Sequence, residues 1–181
     1  MADWSPDSRY LLFEDSSKPG IWLFDSETGE VTPPDDGEPT PRPIQFHPSG
    51  RWIVYATSGA GEPSQIWLRP FPGPGAARQI SSAGGQEPRW SRDGRELFFR
   101  TDTHMMAIPV AERGEELVLG RPQPLFEDVY LHHVTTGYPL YDVHPDGRFL
   151  MARPGGSSAG SRIVVVQNLL PRLEELLPDS E

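Results

Sequence analysis

The chain has no cysteine, no apolar run that approaches a membrane span and no surplus of positive charge. The missing thiols exclude a disulfide framework, a zinc–thiolate site and a thiol nucleophile, while leaving the compartment open. A bilayer-crossing helix needs roughly 20 consecutive apolar residues; no stretch comes near that, so no membrane insertion is expected. Met1-Ala2-Asp3 leads straight into a repeated motif, with no signal peptide in view. The net charge of −10 argues against a nucleic-acid partner, because phosphate binding needs basic surface. Helical periodicity is scarce as well. The one predicted helix is short and C-terminal, from Asn168 to Leu177. Asn168 can cap it, Leu169, Leu173, Leu176 and Leu177 share a face, and Pro178 closes it.

What the chain does have is a short motif repeated four times. The copies are Trp4-Ser5-Pro6-Asp7-Ser8-Arg9, Phe46-His47-Pro48-Ser49-Gly50-Arg51, Trp90-Ser91-Arg92-Asp93-Gly94-Arg95 and Val143-His144-Pro145-Asp146-Gly147-Arg148. They begin at residues 4, 46, 90 and 143, a spacing in the range of repeat architectures. Pro presets one dihedral, Gly accepts a positive φ, and Asp or Ser can bond to backbone amides two residues on. The motif therefore reads as a turn, and Asp7, Asp93 and Asp146 as turn formers rather than catalytic or metal-binding carboxylates.

Each turn is followed by a short apolar run: Tyr10-Leu11-Leu12-Phe13, Trp52-Ile53-Val54-Tyr55, Leu97-Phe98-Phe99 and Phe149-Leu150-Met151. Such aromatic and branched runs predict strands. Both parities are apolar, which predicts sheets covered on both faces. Third strands follow at Ile21–Phe24, Ile66–Arg69, Met105–Ile108 and Ile163–Val166, and more polar fourth strands at Gly29–Thr32, Arg78–Ser81 and Pro124–Phe126. Four antiparallel strands with the outermost most polar describe one blade of a β-propeller.

These repeats resemble the TolB-like, or WD-repeat-like, β-propeller family of bacteria over roughly residues 3–177, through the W-S-P-D-G-R/K turn and the two strands that follow it. Ile66-Trp67-Leu68-Arg69-Pro70-Phe71-Pro72-Gly73 is similar to an I-Y-V-R-P-F-P-G run of such propellers. Val164-Val165-Val166-Gln167-Asn168 followed by Leu173-Glu174-Glu175-Leu176 is similar to their V-V-V-x-N-W-x-x-E-L ending, with Leu169 where Trp is expected. The copies depart from the signature at Ser8, Ser49 and Arg92, and the fourth lacks the leading Trp. The resemblance implies a protein-interaction module, a sensor domain, or a gating domain of a serine peptidase, often periplasmic or extracytoplasmic.

The predicted organisation is all-β. Blades cover about 1–34, 35–82 and 83–127, a fourth at 128–167 ends after three strands, and a helix and tail occupy 168–181. Closed propellers have about four to eight blades, so the chain reads as a half-propeller and as the C-terminal half of one. Open apolar flanks need caps or partners. Two copies meeting head to tail would close a ring of about eight blades, which makes a homodimer the expected partner state; the rival expectation is a segment of a longer propeller that carries exposed ends.

Gly156-Ser157-Ser158-Ala159-Gly160 matches G-x-S-x-G, but it links two strands and no His follows His144, so the hydrolase elbow lacks its context. His132 and His133 would point to opposite faces of a strand, and His144 occupies the turn position of His47; no metal site is expected. Gly73-Pro74-Gly75 and Ser82-Ala83-Gly84-Gly85 do not open helices, as a phosphate cradle requires. No cofactor is expected. The loops that lead into innermost strands open onto one rim of a propeller channel, and convergent polar groups there are the default binding site. That places Arg42, Gln86, Glu87, Arg89, His133 and Tyr138 as the expected lining. The expected function is non-catalytic recognition of a protein or small ligand. The alternative is a substrate-gating piece of a hydrolase or sensor kinase whose other domain lies elsewhere.

Overall fold

Each copy of the turn motif joins the first strand of a sheet to the second. This is seen in a computed structural model that describes residues 2–15, 20–33, 41–57, 63–73, 75–132, 139–153 and 162–166, with backbone only at 41–42 and 162–166. The first sheet contains β1 (Ala2–Trp4), β2 (Tyr10–Phe13), β3 (Trp22–Asp25) and β4 (Val31–Thr32). The second contains β5 (Pro41–Phe46), β6 (Trp52–Thr57), β7 (Gln65–Pro70) and β8 (Arg78–Gln79). The third contains β9 (Gln86–Trp90), β10 (Glu96–Arg100), β11 (His104–Arg113), β12 (Glu116–Leu119) and β13 (Gln123–Glu127). The fourth contains β14 (Tyr141–Val143), β15 (Phe149–Arg153) and β16 (Arg162–Val166). Every pairing is antiparallel and sequential except in the third sheet, where β13 lies beside β11. The segment expected to form the C-terminal helix lies outside the described residues.

The motif turns share one construction. The N–H groups of Ser5, His47 and Ser91 donate across the turn to the first residue of the strand that follows, and that of His144 donates to the Arg148 carbonyl just before β15, at 2.8 Å in all four copies. The fifth motif residue has φ 61° at Ser8, 72° at Gly50, 73° at Gly94 and 80° at Gly147. The carboxylates bond locally: Asp7 accepts from the Arg9 N–H at 3.1 Å, Asp93 from that of Arg95 at 3.1 Å and Asp146 from that of Arg148 at 3.2 Å. Ser5 and Ser91 also donate their hydroxyls to Asp7 and Asp93. These groups therefore close turns, as their residue types require.

The third sheet departs from the four-strand pattern. β11 pairs with β13 through its first half and continues past the blade edge, where it pairs with β12. The hairpin turns at Gly114, whose φ is 63°, and places Val110 and Leu117 in the core. It explains why the last motif interval is about ten residues longer than the others. Only the Met105–Ile108 part of this strand stands out as an apolar run, which is why the extension escaped the sequence reading.

Three cores lie between successive sheets. Leu12, Ile44, Phe46, Ile53 and Phe71 pack between the first and second, with Phe71 edge-on to Phe46 at 4.9 Å and to Tyr10 at 5.1 Å. Val54, Ile66, Trp90, Leu97 and Phe99 pack between the second and third. Phe98, Met105, Tyr141, Phe149 and Met151 pack between the third and fourth. Both faces of β6 and β10 are accordingly buried. The expectation of two covered faces stops at the end sheets: Phe149 and Met151 are buried while Leu150, between them, is 46% exposed.

Ser8 is held in a left-handed conformation that glycine occupies in the other three copies. Ser8→Gly should raise unfolding stability by about 1 kcal/mol in urea titrations, because the Cβ penalty of that region disappears. No gain would mean that the turn tolerates the side chain without strain.

Candidate functional site

The polar groups of interest gather where the chain enters β9. Gly85 lets the backbone approach the second sheet closely; a Cβ there would lie 2.7 Å from Ile66 Cγ1. Glu87 then adopts φ 54° and turns its carboxylate inward. It meets Arg100, which ends β10 and is fully buried. Arg100 makes a two-pronged contact with Asp128, from Nε to Oδ2 at 2.6 Å and from Nη2 to Oδ1 at 2.7 Å. Its Nη1 donates to Glu87 Oε2 at 3.2 Å and to the Leu131 carbonyl at 2.8 Å. Glu87 Oε2 also accepts from the Leu140 N–H at 3.1 Å, and its carbonyl accepts from the Tyr141 hydroxyl at 2.8 Å. Burial would lower the Arg100 pKa, but Asp128 and Glu87 more than offset this and raise it. Burial likewise pushes the Tyr141 phenol upward and keeps it a neutral donor.

Around this buried knot lie groups that reach solvent. His132 stands 3.3 Å from Asp128 Oδ2 through Nε2 and 3.0 Å from the Gln86 amide through Nδ1. With the amide donating, the neutral ring carries its proton on Nε2, toward Asp128. Arg89 pairs with Asp142 at 3.2 Å, and its guanidinium lies 6.0 Å from the centre of the Tyr141 ring. The arrangement offers mixed donors and acceptors on a braced floor, suited to polar recognition. Among the described residues of this rim, no nucleophile is paired with a base.

Of the residues expected at the rim, Gln86, Glu87 and Arg89 lie together on β9. Glu87 is 2% exposed and braces Arg100 rather than facing outward. Arg42 lies on β5; His133 and Tyr138 lie outside the described residues, as does the 156–160 loop. Arg100, Asp128 and Asp142 escaped the sequence reading, while His132 was considered there only as a metal ligand beside His133. One signal was available: Arg100 closes the run Leu97-Phe98-Phe99, whose two faces are both apolar, and a cation there calls for buried carboxylates.

Grooves also open at the opposite ends of the innermost strands, beside the motif turns. The one between the third and fourth sheets has a volume of about 280 Å³ and is lined by Asp93, Glu96, Phe98, Val143 and His144, among others. Glu96 follows the motif arginine, where the other copies carry Tyr10, Trp52 and Phe149. Burial, with Asp93 nearby, pushes its carboxyl up to about 7. In the second copy His47 is buried against Trp90 at 4.7 Å, with Nε2 3.0 Å from the Gly94 carbonyl. Burial holds its pKa below the ordinary value despite that contact and Glu112.

No family model matches the chain. Over 87 residues it is 28% identical to "Uncharacterized peptidase YuxL" of Bacillus subtilis (strain 168), a stretch that is 47% of this chain and 13% of that protein. Among solved structures, TolB from Acinetobacter baumannii is similar with a TM-score of 0.60 at 15% identity, over 91% of this chain and 39% of TolB. The β-propeller domain of Myceliophteria thermophila Cps50 (Swd1) gives 0.55 at 14% identity, over 94% of this chain and 58% of that one. A putative 6-phosphogluconolactonase from Bacteroides uniformis gives 0.53 at 20%, over 84% of this chain and 46% of that one. At these identities the likeness establishes the fold. The molecule is a set of β-propeller blades, spanning about two fifths to three fifths of the solved structures it matches.

Two substitutions test the energetics. Arg100→Leu leaves Asp128 and Glu87 as uncompensated buried carboxylates and should cost about 3–5 kcal/mol; Arg100→Leu combined with Asp128→Asn and Glu87→Gln should recover part of this in chemical denaturation. For Glu96 the folded pKa of about 7 lies above the ordinary 4.5, so its protonated form favours folding and that advantage is lost as pH rises from 4.5 toward 7. Glu96→Gln should therefore stabilise by on the order of 2 kcal/mol above pH 7 and by little at pH 4.5, read from melts across pH.

Proposed function

We propose that the chain is a non-catalytic recognition module: a propeller face that binds a protein or small ligand at the β9 rim, within a ring completed by a second copy. The observation that carries the reading is the division of labour at the rim. Glu87, Arg100 and Asp128 are buried and spent on one another, while Gln86, Arg89, His132 and Asp142 are braced by them and partly open. A buried ionic knot beneath exposed donors and acceptors preorganises a polar surface, which lowers the ordering cost of binding. Arg42 joins this rim in the proposal, as do His133 and Tyr138. The exposure of Trp4 on the first sheet and Leu150 on the fourth supports a ring completed by a second copy.

A second reading has its own support. The likeness to a protein named as a peptidase favours a substrate-gating propeller piece, with catalysis housed elsewhere. A fluorophosphonate probe separates the readings at the outset: labelling of Ser158 would overturn the non-catalytic assignment. Binding is then measured by thermal shift against a panel of short acidic, basic and neutral peptides. Arg42→Glu with Arg89→Glu should abolish the shift given by any peptide that binds the rim, with the unliganded melt retained. Unaltered binding by this double variant would discard the rim.

A further inference from the structure

The grooves beside the motif turns recur between successive sheets, and one of them has a different chemistry. Between the first and second sheets the groove is about 450 Å³, and the first copy of the motif lines it with Pro6 and Tyr10. Between the third and fourth sheets it is about 280 Å³, and the third copy lines it with Arg92 and Glu96. Arg92 stands where the other copies have Pro6, Pro48 and Pro145. Glu96 holds the register of Tyr10 and Trp52: their carbonyls accept at 2.8 Å from the N–H groups of Ser91, Ser5 and His47 respectively. Tyr10 and Trp52 pack against the core between their own sheet and the next. Glu96 lies on the parity of Phe98, which belongs to the core between the third and fourth sheets. Two departures of the third copy from the others therefore meet in one groove.

The turn needs neither charge. Pro would preset the dihedral that Arg92 adopts unaided, and an aromatic ring fills the place of Glu96 in the first two copies. Burial, with Asp93 nearby, opposes ionisation of Glu96, so the residue lowers stability at neutral pH. The other charged groups at this groove are spent. Asp93 accepts from the Ser91 hydroxyl at 2.7 Å and from the Arg95 N–H at 3.1 Å. His144 contacts Asp146 at 2.7 Å. Among the described residues, the side chains of Arg92 and Glu96 have no hydrogen-bond or ion-pair partner. A repeat that breaks its own pattern at a cost in stability marks a functional position. The rest of the wall is largely apolar, with Phe98 and Val143.

We propose that this groove binds a small zwitterion of the amino-acid type. Its ammonium donates to the Glu96 carboxylate, its carboxylate accepts from the Arg92 guanidinium, and its side chain lies against Phe98 and Val143. Both polar contacts are charge-assisted, the strong class of hydrogen bond. The volume lies at the small end of ligand pockets, which favours a free amino acid over a peptide. The site is at the opposite ends of the innermost strands from the β9 rim, and it stands or falls independently of the rim.

Calorimetry on the full chain tests this with L-leucine as the probe, in mildly alkaline buffer where Glu96 is ionised. Leucine should bind about tenfold or more tightly than isopentylamine or isocaproate, each of which lacks one of the two charges. Glu96→Gln keeps the side-chain volume and removes the charge. Arg92→Pro restores the residue of the other copies. Each should weaken leucine binding about tenfold or more, with a cooperative thermal melt retained. Absence of leucine binding at millimolar concentration overturns the proposal. So does binding that survives both substitutions, or an isopentylamine affinity equal to that of leucine.

Discussion

Sheet-on-sheet burial is the constraint on which this molecule depends. A four-stranded sheet with aromatic and branched residues at both parities cannot leave either face in water without losing the apolar burial that orders its strands. The second and third sheets meet that demand within the chain, since Ile53 and Val54 are adjacent on β6 and both fully buried. Among the described residues, the first and fourth meet it on one side each. The radial repeat follows: every sheet needs two neighbours, and a finite stack has two ends.

Polar contacts refine this packing. The side-chain acceptors Asp3 and Gln45 tie the inner strands of the first three sheets to one another at a set register, so that sheets held by non-directional apolar contact cannot slide along one another. The Arg100–Asp128–Glu87 cluster does a different job. It locks the stretch that follows β13 onto the third sheet and fixes the entry to the fourth. Being dry, it would be costly to break and gives little stability relative to an apolar replacement. Its role is best understood as positional, holding Gln86, His132, Arg89 and Asp142 in one constellation.

Much of the architecture was legible in the residues. Four copies of a motif with Pro, Asp or Ser, and Gly at set places can hardly form anything but turns, and the dihedrals at Ser8, Gly50, Gly94 and Gly147 agree. The strands after them were legible because Leu97-Phe98-Phe99 and its counterparts have no helical spacing. The β11–β12 hairpin was not, because Val110 and Leu117 sit among charged residues and join an apolar cluster only in the core between the second and third sheets. Among the rim residues, position relative to the motif located Gln86, Glu87 and Arg89, but nothing local said which of them would be consumed by Arg100.

The sequence by itself determined the repeat, the turns and the period, because those rest on interactions within a few residues: Asp to the amide two places on, Gly at positive φ, alternating strand faces. Only the tertiary structure decided that Glu87 is buried while Arg89 is half open, and that Asp128 and His132 belong to the site. Those facts depend on residues tens of positions apart in the chain, brought into register by the packing of whole sheets.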